Sequence, residues 1–348
     1  MKLMKWVTPL GGACLLLLCL GLAPARAATS RSASPCLGDK PLRGVNMAGA
    51  EFNSTRLPGT LFKDYTYPSV ADLRYFAELG ANVIRLPFRW ERLQRTPGAS
   101  LDAGELENLR KVVATGRELG LCVILDAHNY GVYAKQPIGS ADMPLSAFQD
   151  FWLRMREAFP DPEYVAFGLM NEPAKAASRA DWVRAGQEVL TALREAGSKH
   201  LVLVSGAGWS GAHDWATPHG GISNADAFAG LKDPLRRSAI EVHQYADRNA
   251  SGMGKECIAP ERMSAIMKRV TDWALANQQR LFLGEFGVAP SPECLDTLKA
   301  QLEAMRGPAW VGWSYWAAGA WWGPTYTFSV HPLPGVERAQ LALLREEW

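Results

Sequence analysis

From Leu42 onward, short apolar runs alternate with longer stretches whose apolar residues recur every three or four positions. Eight runs read as strands: Leu42 to Ala48, Asn82 to Phe88, Cys122 to Asn129, Tyr164 to Glu172, Leu201 to Gly206, Ala239 to Tyr245, Leu281 to Val288 and Val311 to Ala317. Each is nearly continuous in its apolar character, the pattern of a strand buried on both faces in a parallel sheet. Between them lie amphipathic helical patterns. In Ser69 to Leu79, for example, Val70, Leu73, Phe76 and Ala77 share one face, and Glu105 to Leu119, Arg179 to Ala196 and Glu261 to Asn277 behave alike. Eight strand-helix units predict an α/β fold, a (β/α)8 TIM barrel forming a single domain over residues 42–348. An open doubly wound sheet would need a G-x-G-x-x-G turn after an early strand, and the chain has none.

The barrel makes a claim about chemistry, because residues at the carboxyl ends of its strands converge on one face. Read that way, the second strand ends in Arg85, the third in Asp126 and His128, and the fourth in Asn171 and Glu172. The sixth ends in His243 and Tyr245, the seventh in Glu285 and the eighth in Trp316. A single Arg or His at such a place is ordinarily a structural partner, and Asp126 reads as one. Convergence changes the weighing. A carboxylate at the end of a buried run is costly unless it has work to do, and YVAFGLMNEP (164–173) and LFLGEFGV (281–288) carry one each, far apart in sequence.

Charge and cysteines refine the picture. Lys2 and Lys5, the apolar stretch Leu10 to Leu22 and the small-x-small triplet Ala25-Arg26-Ala27 predict a signal peptide over 1–27, cleaved after Ala27, followed by a loose tail over 28–41. The alternative is an uncleaved anchor, for which the apolar run is short. Removing Lys2, Lys5 and Arg26 turns 37 basic and 35 acidic residues into 34 and 35. That balance gives no support for nucleic acid or an anionic membrane surface as partner, and it suits a neutral polymer. An exported product, extracellular or periplasmic and monomeric, is expected, with no stable membrane association once the leader is removed. Of the cysteines that remain, Cys122 reads as a buried thiol in a strand and Cys36 is unassigned. Cys257 and Cys294 fall in loops after predicted strands on the same face, which favours their pairing among three possible connectivities; the bond would contribute about 4 kcal/mol.

Neither a metal nor another cofactor is called for. His128 and His243 are candidate ligands, but no His-x-His pair ends the first strand and no HExxH occurs; a serine hydrolase lacks its G-x-S-x-G elbow. Two carboxyl groups suit glycosidic cleavage, in which one is protonated and the other ionised. Arg85 and the Tyr245 hydroxyl beside Glu285 would favour its carboxylate, and that charge would raise the pKa of a desolvated Glu172. Glu285 is then the nucleophile and Glu172 the acid/base, with Asn171 able to reach a sugar hydroxyl and Pro173 expected to hold Glu172 extended. Loop and strand-end aromatics offer platforms for sugar rings: Trp90, Tyr130, Tyr133, Trp209, Trp215, Trp316, Trp321 and Trp322, whereas Trp152, Trp182 and Trp273 sit in helical patterns. Several platforms imply several subsites, hence a polymer.

The ordered motifs RGVNMAGAEF (43–52), IRLPFRWERLQ (84–94), LDAHNY (125–130), FGLMNEP (167–173), VHQYADRNASG (242–252), LGEFG (283–287) and WSYW (313–316) closely resemble the family 5 glycoside hydrolases, in their secreted endo-β-1,4-glucanase (cellulase) branch. The resemblance covers Leu42 to about Pro332. It implies a retaining mechanism with the acid/base at Glu172, the nucleophile at Glu285, and support from Arg85, His128, Asn171, His243, Tyr245 and Trp316. It also implies a disulfide at Cys257 and Cys294, and with the strand-end position it suggests a cis Trp316–Ala317 peptide. Trp316, Trp209, Glu51, Tyr130 and Trp322 are the expected substrate-binding set, and a β-1,4-glucan the expected partner. With no second module recognisable, soluble or amorphous glucan is the expected form. β-Mannanase and mixed-linkage β-glucanase activities share the same machinery, and a non-catalytic carbohydrate-binding barrel would ordinarily have lost one of the two carboxylates.

Overall fold

The computed structural model describes Met1 and residues 34–348 except 177 and 337. Apart from Met1, the expected leader over 1–27 and the first part of the expected tail lie outside the described residues. Eight parallel strands close into a barrel: β1 (Leu42–Met47), β2 (Val83–Phe88), β3 (Cys122–Ala127), β4 (Val165–Gly168), β5 (Val202–Ser205), β6 (Ser238–His243), β7 (Leu281–Glu285) and β8 (Trp310–Ala318). Each pairs with its sequence neighbour, and β1 joins β8 to complete the ring. Helices Val70–Glu78, Ala103–Leu119, Leu145–Ala158, Arg179–Glu195, Pro260–Ala276 and Pro292–Ala304 are among those that connect them. Serine and aspartate side chains cap several of these helices, including Ser69, Asp102, Ser178 and Ser291.

Strand alternation sorts the side chains into two populations. Ile84, Val123, Leu125, Val202, Val204, Ile240, Val242, Leu281 and Leu283 belong to the large apolar layer shared with the helices. Their neighbours along each strand point into the barrel, where Leu42, Val83, Ile124, Ala166, Leu203, Ala239 and Phe282 form a separate buried cluster. Two residues further along the inward-facing positions become polar. Val83 is followed by Arg85, Ile124 by Asp126, and Ala239 by Glu241 and then His243, every one of them buried. In these three strands the inner column is thus a hydrophobic plug below and a charged site above.

Two expectations change at the lower end. Residues 34–41 pass beneath the barrel instead of trailing free: Cys36 is buried, and its N–H donates to Glu163 O at 2.9 Å. Cys122 is not a thiol but is bonded to Cys36, with Cα atoms 4.9 Å apart. Local sequence conceals this pairing because Cys36 reaches the first residue of β3 only when the barrel has closed above it. The Cys257–Cys294 bond is present as expected.

Candidate active site

The strand ends bring their polar residues together. Arg85, at the top of β2 and fully buried, is the hub. One terminal nitrogen, Nη1, donates to Asn46 Oδ1 at 2.8 Å and Glu285 Oε1 at 3.0 Å; the other, Nη2, reaches Asn171 Oδ1 at 2.7 Å, Glu241 Oε1 at 2.8 Å and Asp126 Oδ2 at 3.1 Å. Burial alone would weaken the guanidinium's hold on its proton, but Asp126, Glu241 and Glu285 outweigh it and keep Arg85 cationic.

Glu285, the last residue of β7, accepts from Arg85 at one oxygen and from the Tyr245 hydroxyl at the other, at 2.8 Å. Glu172 faces it: an oxygen of each carboxylate and a ring nitrogen of His243 all lie within 4.8 Å of one another. Burial raises the Glu172 pKa above its ordinary value, and the neighbouring Glu285 adds to this against the opposing hydrogen bond from His243. His243 stands between three acids. Its Nδ1 is 2.9 Å from Glu172 Oε1 and its Nε2 is 3.0 Å from Glu241 Oε1. Burial would discharge the ring, yet Glu285, Glu172 and Glu241 lift its pKa to about 10, so both nitrogens carry protons and donate.

That protonation bears on the metal reading. Three ligating groups within 4.8 Å could in principle bridge a cation. An imidazolium with both N–H groups committed has no lone pair to give, and Arg85 already supplies positive charge to Glu285. The donor set suits proton chemistry rather than a metal.

His128 is set the opposite way. Burial drives its pKa well below the ordinary value, and the neutral ring donates from Nδ1 to Asp126 Oδ2 at 2.8 Å and accepts at Nε2 from Asn171 Nδ2 at 3.2 Å. Asn171 is therefore oriented by two residues at once, its oxygen on Arg85 and its nitrogen on His128. Asp126 serves as the structural holder expected of it.

Glu172 departs from expectation in its backbone. Strand β4 ends at Gly168, and Glu172 has φ +39°, a left-handed conformation that Pro173 was expected to exclude. Neighbouring bonds hold the turn: the Asn171 N–H donates to Ala127 O at 2.9 Å and the Tyr130 N–H to Asn171 O at 3.0 Å. The rarely adopted conformation turns the carboxylate back across the barrel mouth, at a cost of about 1 to 3 kcal/mol.

The aromatic platforms divide. Trp316 carries the cis peptide to Ala317, lies 5.7 Å from the His128 ring and donates to the Tyr326 hydroxyl at 3.0 Å. Trp322 stacks on Tyr326 at 4.0 Å, Tyr130 sits 5.4 Å from His128, and Trp209 stands 62% exposed at 6.2 Å from Tyr130. Trp90 and Trp215 are core, not cleft. Trp90 packs on Tyr133, itself buried, and on Phe148 and Phe151; Trp215 packs on Phe228 and Trp273. Glu51 lies buried near this face; burial pushes it up to about 7 while the Gly49 N–H donates to it at 2.7 Å.

Sequence reasoning missed Glu241, Asn46 and Tyr326. Glu241 had a signal: a charged residue inside the apolar run Ala239 to Tyr245, two positions before His243 and so on the same face. Gly284 makes room for it, since a Cβ there would collide with the Glu241 carboxylate. Asn46 binds Gly284 O and Ser314 O through Nδ2. Tyr326 lies outside every strand and had no such marker.

Comparison with known proteins agrees with this geometry. The sequence profile described as Cellulase (glycosyl hydrolase family 5) matches residues 45–319. Endo-beta-1,4-glucanase B of Emericella nidulans is 31% identical over 296 residues, covering 84% of this chain and 87% of that protein. The crystal structure of a triple mutant of an endo-beta-1,4-glucanase from Xanthomonas axonopodis pv. citri superposes with a TM-score of 0.86 at 43% identity, over 88% of this chain and 98% of that one. A structure described as XacCel5A in complex with cellopentaose gives a TM-score of 0.85 at 43% identity, over 88% and 99%.

Proposed function

The chain belongs to glycosyl hydrolase family 5, and from that premise we propose that it is an exported endo-β-1,4-glucanase cleaving internal bonds of soluble or amorphous β-1,4-glucan with retention of configuration. One observation carries the mechanism: oxygens of Glu172 and Glu285 lie within 4.8 Å across the barrel mouth. Retaining enzymes hold their carboxyl groups about 5 to 5.5 Å apart, and inverting ones leave about 6.5 to 9.5 Å for a water.

Glu285 attacks the anomeric carbon and forms a glycosyl ester. Its two oxygens are aimed by Arg85 and Tyr245, so little reorganisation precedes attack. Glu172, with its pKa raised by burial, protonates the departing glycosidic oxygen; it then takes a proton from the water that hydrolyses the ester. The imidazolium of His243 limits how far the Glu172 pKa rises. Asn171 uses one amide hydrogen on His128 and keeps the other for a sugar hydroxyl near the reacting carbon. Trp316, with Tyr326 and Trp322 behind it, offers a flat apolar face to the ring. Export is supported by two disulfides, which persist in oxidising compartments. Among the described residues no helix is long and apolar enough to cross a membrane.

The test is stereochemical. Proton NMR at early times should show the β-anomer from cellopentaose; an α-anomer would overturn the double displacement. Glu285→Gly with azide should yield the inverted glycosyl azide. Glu172→Ala on an activated aryl cellobioside should yield the retained one.

A further inference from the structure

Beside the catalytic cleft lies a second concavity of about 830 Å³ whose lining includes Arg89, Arg95, Lys135 and Lys175 against one acid, Glu91. In a mature chain expected to be near neutrality this is a local concentration of positive charge. One carboxylate cannot offset four cations, and Glu91 pairs with none of them: Oε2 accepts from Asn129 Nδ2 at 2.7 Å and Oε1 from the Ala134 N–H at 2.9 Å. Arg95 is partly engaged by Asp102 at 3.3 Å, and Lys135 and Lys175 have no acidic partner among the described residues.

Arg89 is the second observation. It is more than nine-tenths buried, yet it forms no ion pair among the described residues, and its one hydrogen bond there runs from Nε to the Glu51 carbonyl at 3.1 Å. Its guanidinium lies 5.5 Å from the centroid of the Tyr130 ring, and its terminal nitrogens make no hydrogen bond among the described residues although the side chain lines the groove. A buried guanidinium with unspent donors is costly unless an anion completes it, and its planar fork fits a carboxylate. Tyr130 joins the two spaces, since its ring is also 5.4 Å from His128. A glucan chain leaving the catalytic carboxylates past Tyr130 passes beside these cations.

We propose that this groove is a subsite for an acidic substituent of the substrate, so that Arg89, Lys135 and Lys175 select β-1,4-glucan chains bearing carboxylates. The inference rests on the endoglucanase reading and narrows its substrate class. Lys135 projects from a tight turn in which it and Ala134 both have positive φ, between the short strands Val132–Tyr133 and Gln136–Pro137. Lys175 is tied to the same wall, its N–H donating to Tyr130 O at 3.1 Å.

The experiment compares carboxymethylcellulose with hydroxyethylcellulose, which is similarly substituted but uncharged, using wild type and the Lys135→Gln/Lys175→Gln double variant. The KM of the variant for carboxymethylcellulose should rise about fivefold, with hydroxyethylcellulose unchanged. NaCl at about 0.5 M should bring wild type to the same ratio. An equal rise on both polymers, or no change on either, overturns the proposal. Affinity electrophoresis through gels containing each polymer reads binding without hydrolysis. If wild type cut neither polymer the endoglucanase reading would fail, while selective retardation by carboxymethylcellulose, lost in the variant, would still uphold the groove.

Discussion

Glu241 and His243 meet at 3.0 Å beneath the two glutamates assigned to catalysis, and the same Glu241 oxygen lies 2.8 Å from Arg85. One fully buried carboxylate thus anchors both cations of the site. Burial would raise the Glu241 pKa, but Arg85 and His243 outweigh it and hold it below the ordinary value.

Replacing Glu241 by Gln removes one of three acids that keep His243 protonated. The His243 pKa should fall below its native value of about 10. Since a raised histidine pKa keeps the charge until pH climbs through it, the variant loses the imidazolium at lower pH and its activity optimum should move to the acid side. We expect kcat to fall about 10- to 100-fold at neutral pH with little change in KM. Nitrogen-15 NMR of the His243 ring reads the titration directly. An unmoved pH profile would reduce Glu241 to a packing residue.

With Glu172 as the proposed general acid, its raised pKa should set an alkaline limb. A general acid works while protonated, so kcat/KM on cellopentaose should decline as pH rises through that pKa. A dinitrophenyl cellobioside needs no proton on its leaving group, and its profile should stay flat over the same range. Identical alkaline limbs on the two substrates would argue that another group titrates.

Trp209, 62% exposed and 6.2 Å from Tyr130, has little structural reason to be aromatic. Trp209→Ala should raise KM for cellopentaose about tenfold, equivalent to about 1.4 kcal/mol, while thermal stability is unchanged. Trp215→Ala should do the reverse, lowering stability by about 3 to 5 kcal/mol, because that ring is packed on Phe228 and Trp273. Equal effects from the two variants would erase the division between cleft and core.

The Cys36–Cys122 bond closes a sequence separation of 86 residues. Removing it with Cys36→Ser and Cys122→Ala should cost about 4 to 5 kcal/mol in urea unfolding if loop entropy dominates. A loss below about 1 kcal/mol would place the stabilisation elsewhere.

The eight strands were legible because each is buried on both faces and so records its surroundings in its own composition. Their observed bounds differ from the expected ones mostly at the carboxyl ends, where polar residues begin: β3 stops at Ala127 and β4 at Gly168. Arg85, His128, Asn171, Glu172, His243, Tyr245 and Glu285 could be read for the same reason. A charged or polar group at the end of an apolar run is locally anomalous, and the barrel gives all such anomalies one destination.

What needed the closed barrel was the choice of partners. Whether Trp90 and Trp215 face sugar or core depends on helices that pack against them, and nothing in their flanking residues records that. Cys36 finds Cys122 only beneath the assembled ring, and Glu241, already beside His243 on β6, becomes the counter-ion of Arg85 only when β2 and β6 face one another across the barrel. Glu172 adopts φ +39° against its local preference because bonds from Asn171 and Tyr130 fix the chain on either side. Burial and periodicity are properties a short segment carries by itself. Pairing between distant groups is decided by closure, because only the assembled barrel brings the two partners within bonding distance and excludes the water that would otherwise satisfy each alone.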